Sequence, residues 1–166
     1  AVSIYVAGLV LMLAISATYN LWPVSRWKWW LRRLDHSAIY LLIAATYTPF
    51  IIQMGRSVIA LALLGGVWSV AVIGIILKLL FPGRFDRFAI VLYLAMGWSG
   101  VMVYDTIASV LPDSVLALIA AGGILYSGGV VFHVWERLRF QNAIWHSFVL
   151  LGAGCHYSAV LDLVLN

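Results

Sequence analysis

Charge is scarce in this chain: only 10% of its 166 residues are Asp, Glu, Lys or Arg, against 64% hydrophobic. Soluble domains carry about 25% charged and about 45–50% apolar residues. A water-soluble fold of this length has too little polar surface to cover so much apolar area, so lipid is the solvent for most of it. Cysteine is nearly absent too. The single Cys155 excludes an internal disulfide and says little about compartment. There is no low-complexity tract, polar linker or internal repeat, so residues 1–166 are expected to form one transmembrane helical domain. A basic leader is missing as well: the apolar stretch starts at Ala1, which looks like a processed or truncated boundary.

What is present fits a membrane. Mean hydropathy is +1.04. Eight Trp and eight Tyr suit a chain that crosses two membrane–water interfaces, where amphipathic rings settle. The formal charge of +4 sits in short connections between apolar runs, a pattern of membrane orientation and not of a phosphate-tracking groove. Nucleic acid is therefore not expected as a partner.

Crossing about 30 Å of hydrocarbon takes roughly 20 apolar residues. Six stretches qualify, at about 1–19, 37–54, 58–80, 88–104, 114–134 and 143–165. They lack the alternation of barrel strands, so the expected fold is all-α, a polytopic transmembrane helix bundle. Gly65-Gly66, Gly122-Gly123 and Gly128-Gly129 are expected to let neighbouring helices approach closely.

The basic residues orient the bundle. Arg26, Lys28, Arg32 and Arg33 lie between spans one and two, Lys78, Arg84 and Arg87 between three and four, and Arg137 and Arg139 between five and six. The opposite connections hold Arg56, with Asp105 and Asp113. Basic connections stay in the cytoplasm, so odd-numbered spans end there and even-numbered spans begin there. Six spans with an external start suggest one further helix before Ala1.

Polar residues at membrane depth are functional candidates by default. Ser16 and Asn20, one turn apart, lie at the cytoplasmic end of span one. Asp35 and His36 open span two, His133 closes span five, and Asn142 and His146 open span six. A polar cluster at the cytoplasmic side is expected from these ends. Asp35 also has a plainer reading as the N-cap of span two. His36 and His133 have one as interfacial residues. His156, about 15 Å along the axis from His146, is expected to pair with another helix. His146 is the leading ligand candidate. The stretch Trp27-Lys28-Trp29-Trp30 with Arg32-Arg33 is expected to anchor a loop at an anionic leaflet, with a lipid-headgroup role as the alternative.

Leu31-Arg-Arg-Leu-Asp-His-Ser-Ala-Ile-Tyr40, continuing through Leu41-Leu-Ile-Ala-Ala-Thr-Tyr-Thr-Pro49, resembles the signature of the hemolysin III family, the bacterial branch of the progestin and adipoQ receptor superfamily. Met96-Gly-Trp98, Gly122-Gly-Ile-Leu-Tyr126 with Gly129 and Phe132, and Ala143-Ile-Trp-His-Ser-Phe-Val149 match further blocks in order. The resemblance implies a seven-helix fold, of which this chain would supply the last six. In many members it also implies a zinc site near the cytoplasmic face, with three His ligands and an Asp-held water. Three His plus water is an open, hydrolytic coordination. Carried onto this chain, the pattern half fails. Ser16 is present, but its partner is Asn20 instead of His; His146 is present, but its partner is Asn142; Asp35 is retained. Asn is a poor zinc ligand beside imidazole.

The expectation is a hemolysin III-like integral membrane protein of a bacterial inner membrane, non-catalytic or ligand-binding, acting in membrane homeostasis or sensing. Ser16, Asn20, Asp35, Asn142 and His146 would form a polar cluster in place of the zinc site. No cofactor is expected. Membrane lipids are the expected partners, a lipid ligand among them. Two alternatives stand. One is a metal-dependent lipid amide hydrolase of the ceramidase type, with zinc on His146 and Asp35 orienting water. The other is an accessory subunit of a larger membrane complex.

Overall fold

Six apolar runs become helices in the computed structural model, which describes residues 1–81 and 83–165. The helices are α1 (Val2–Leu21), α2 (Arg26–Ile52), α3 (Val58–Leu80), α4 (Asp86–Trp98), α5 (Tyr104–Ala108), α6 (Asp113–Val134) and α7 (Gln141–Leu165). A 3₁₀ stretch, Ser99–Val103, joins α4 to α5. Among the described residues there is no strand. Two compact units divide the chain, Ala1–Gly100 and Val101–Asn166.

Among the described residues, five helical segments are long and apolar enough to cross a membrane: α1, α3, the run Asp86–Ala108, α6 and α7. The fourth expected span therefore begins two residues early and runs four beyond Tyr104, changing helix type on the way. The second span, expected from residue 37, differs most. Its helix starts at Arg26, eleven residues sooner, and is the more polar one. Ser25 holds an extended backbone and the chain turns helical directly after it. Arg, Lys, Leu and Trp all tolerate a helix, so nothing in 26–36 interrupts the winding. The stretch expected as an anchoring loop is thus the opening of α2.

In the first unit α2 packs against α1, α3 and α4. Its polarity comes from the charged residues of its first turns, Arg26 to Asp35, while its buried section mixes small or hydroxylic positions (Ala38, Ala44, Ala45, Thr46, Thr48) with large ones such as Tyr40, Leu42, Phe50 and Ile51. Tyr40, Ala44, Val67, Ala71, Ala89 and Met96 make the core between α2, α3 and α4. Small residues bring these backbones together, the usual basis of helix association in lipid. A Cβ added at Gly74 of α3 would lie 2.5 Å from the Tyr40 ring. Gly65 and Gly66, expected at such a contact, have nothing within 4 Å of an added Cβ. They lie on α3 away from its contact with α2.

Pro49 lies inside α2 and has no N–H to donate to the preceding turn. Hydroxyls bond to carbonyls close by: Thr46 Oγ1 donates to Leu42 O (2.7 Å) and Thr48 Oγ1 to Ala44 O (3.0 Å). Thr48 also accepts from Trp68 Nε1 of α3 at 3.2 Å, a polar link between helices. At the start of α3, Ser57 caps the helix by accepting from Ala60 N.

In the second unit α6 packs along α7. Gly122 and Gly129 are contact points: an added Cβ at Gly122 would meet the His156 ring, and one at Gly129 would lie 2.8 Å from Phe148 Cβ. Phe132 and Phe148 stack with centroids 5.1 Å apart.

Candidate functional site

The last turns of α1 carry Ser16 and Asn20 on one face, as their spacing requires. Asn20 Nδ2 donates to the Ser16 carbonyl oxygen at 2.8 Å, so the amide is folded back onto its own helix. Thr18 does the same with Ala14 O at 2.7 Å. Beyond the helix end, Lys28 Nζ donates to Trp22 O at 2.9 Å and sits 5.5 Å from the Tyr19 ring centre. These contacts bind the reversal between α1 and α2.

Asp35 is not an N-cap. Ser25 precedes the helix, and Asp35 and His36 lie well inside α2 because the helix starts so early. Both are half-buried. The His36 carbonyl accepts from Tyr93 Oη of α4 at 2.8 Å.

Beside them lies an ionic cluster centred on Asp86, a residue the sequence analysis does not single out. Lys78, in the last turn of α3, is 5% exposed and bonds Asp86 in the first turn of α4. Arg32 of α2 also reaches the Asp86 carboxylate, at 3.3 Å, and His36 Nδ1 lies 4.0 Å from it. Arg33 is held differently. Its Nη1 donates to Leu79 O at 2.9 Å, and its guanidinium lies 3.4 Å from the Trp29 ring centre and 4.6 Å from that of Trp30. Together these residues line a cleft of about 90 Å³ with Gly83. The signal for Lys78 and Asp86 was present in the sequence: opposite charges on facing helix ends across a short turn.

In the second unit, Asn142 and His146 lie one turn apart near the start of α7. His133 closes α6, its carbonyl accepting from Gln141 Nε2 at 2.5 Å and its ring 4.8 Å from that of Trp145. His156 pairs with the neighbouring helix: its Nε2 lies 3.2 Å from Ile119 O, and its ring is 5.4 Å from that of Tyr126. Ser16, Asn20 and Asp35 thus lie in the first unit, and Asn142 and His146 in the second. Among the described residues no three His, Cys, Asp or Glu side chains form a group able to hold a metal ion.

The zinc implied by the sequence resemblance does not fit this donor set. Two of the matched positions offer neutral amides, only His146 offers imidazole, and the Asn20 amide bonds its own helix.

A family model described as "Haemolysin-III related" matches residues 1–157. Hemolysin-3 from Bacillus cereus is 45% identical over 132 residues, covering 80% of this chain and 60% of that protein. The monocyte to macrophage differentiation factor of Homo sapiens is 31% identical over 165 residues, 95% of this chain and 67% of that protein. A heptahelical transmembrane protein of Oryza sativa subsp. japonica is 27% identical over 188 residues, 98% of this chain and 81% of that protein. The chain therefore spans about 60% of the length of the Bacillus cereus relative. No solved structure matches.

Proposed function

The chain belongs to the haemolysin-III related family, the bacterial branch of the progestin and adipoQ receptor superfamily, and on that premise we propose that it binds a ligand or senses the membrane without catalysing a reaction. Its place is the bacterial inner membrane, with the basic connections and the polar helix ends beside them on the cytoplasmic side. Five apolar helices of crossing length support the membrane assignment. The bias of Lys and Arg toward alternate connections supports the orientation.

One observation carries the non-catalytic reading. Asn20, at the position where the family pattern places a zinc-binding His, offers a neutral amide in place of an imidazole, with its Nδ2 donating to the Ser16 carbonyl at 2.8 Å. A hydrolytic zinc needs ligands that stay deprotonated and electron-rich, and an amide is a poor substitute. In lipid, a side-chain-to-backbone hydrogen bond satisfies the polar group without a metal. Ser16, Asn20 and Asp35 then serve as polar positions of the first unit, and Asn142 and His146 as polar positions of the second, with His146 the one imidazole among them.

The test is turnover of a supplied N-acyl lipid amide by the purified protein, with zinc added and removed, beside a His146→Ala variant. The proposal predicts no turnover that depends on His146. Zinc-dependent hydrolysis lost in His146→Ala would establish the ceramidase-type alternative instead.

A further inference from the structure

The cleft at the basic end of α2, α3 and α4 holds more positive charge than its carboxylate can balance. Arg32, Arg33 and Lys78 line it with a single Asp86, leaving a surplus of two positive charges with His36 neutral. Asp86 acts as an internal counter-ion for Lys78 and Arg32, which both reach it. Arg33 is outside that arrangement. Its guanidinium is clamped by the Trp29 and Trp30 faces and by the Leu79 carbonyl. Its Nε–H is buried and has no acceptor. Buried donors without partners are the exception in folded proteins. A guanidinium fixed by stacking, with a donor unspent, is prepared for bidentate contact with phosphate oxygens.

The surroundings say where the phosphate comes from. The cleft, at about 90 Å³, is small beside the roughly 300–1,000 Å³ of a pocket that encloses a whole ligand. It suits a group whose remainder stays outside. Trp29 lines the cleft and, like its neighbours Trp27 and Trp30 on the first turns of α2, is about half exposed. Indole rings in that position settle at the headgroup level of a bilayer. Arg32 is 53% exposed and open to the same level.

We propose that the cleft formed by Trp29, Arg32, Arg33 and Lys78 binds the phosphate of an anionic phospholipid. Arg33 provides the fixed bidentate contact. Arg32 and Lys78 supply the field, and Asp86 holds Lys78 in place while the site is empty. The acyl chains remain in the bilayer, along the outer surface of the first unit. This site is separate from the family's zinc positions and does not depend on how those are read.

The experiment is native mass spectrometry of the purified full chain, titrated with phosphatidylglycerol and with phosphatidylcholine. The proposal predicts a preference for phosphatidylglycerol that falls by about tenfold in Arg32→Gln/Arg33→Gln. Arg137→Gln/Arg139→Gln, which removes the same charge from another basic connection, keeps the preference. Arg33→Lys guards against a folding defect: it retains the charge but cannot stack and fork, and most of the preference is lost. Equal losses in the two double variants would overturn the site in favour of diffuse attraction to an anionic surface. Full retention in Arg33→Lys would overturn the assigned geometry. Displacement of phosphatidylglycerol by millimolar inorganic phosphate would overturn the lipid as the source of the phosphate.

Discussion

The Tyr47 hydroxyl of α2 lies 2.9 Å from the Met96 carbonyl oxygen of α4 and 2.9 Å from that of Gly97. It also accepts from Gly100 N at 3.0 Å, and Ser99 Oγ lies 3.1 Å away. This is where α4 tightens into a 3₁₀ stretch and its carbonyls lose their helical partners. One phenol thus supplies polar contacts that lipid does not offer. Tyr47→Phe keeps the ring and removes those contacts. The expected cost is about 1–3 kcal/mol, read as a lower midpoint of unfolding in mild detergent. An unchanged midpoint would show that the break in α4 satisfies itself.

Lys78 and Asp86 make a second prediction by their asymmetry. The lysine is almost fully buried, whereas the carboxylate is about one-third exposed. Asp86→Asn leaves a buried ammonium without its partner, and Lys78→Met removes the buried charge altogether. The first should be the more destabilising. Its cost is on the order of 1–2 kcal/mol, below the ~3–5 of a fully buried pair because water reaches Asp86. The double variant should recover part of the loss, since the two residues are in contact. Additive losses in a double-mutant cycle would count against the pairing.

Glycine substitutions separate contact points from bystanders. Gly74→Ala pushes a methyl into the Tyr40 ring, which is 2% exposed and has no room to yield. Overpacking of this kind costs about 1–3 kcal/mol. Gly66→Ala meets nothing within 4 Å and should be neutral or gain up to about 1 kcal/mol from helix propensity. Thermal unfolding of the two variants side by side checks both signs at once.

These contrasts show what hydropathy could and could not convey. The apolar runs announced α1, α3, α6 and α7 to within a few residues, because length and composition alone decide whether a segment spans lipid. The start of α2 was hidden, because Arg26 to His36 is helical without being apolar, and an apolar window registers only the part inside the membrane. That error placed Asp35 at a helix start, where it would have been a cap. The i, i+4 spacing of Ser16 and Asn20 predicted a shared face, but not that the Asn20 amide turns to a backbone carbonyl. The Lys78–Asp86 pair escapes a reading by hydropathy, because Lys78 at the end of α3 reads as an orientation charge and hydropathy says nothing of which side chain Asp86 at the start of α4 will meet.

The most direct test of the account is the zinc content of the purified protein by elemental analysis, beside His146→Ala. With neutral amides at Asn20 and Asn142 where the family pattern has imidazoles, the account predicts no stoichiometric zinc in either sample. About one zinc per chain in the wild type, lost in His146→Ala, would contradict it and return the family's hydrolytic metal to this chain.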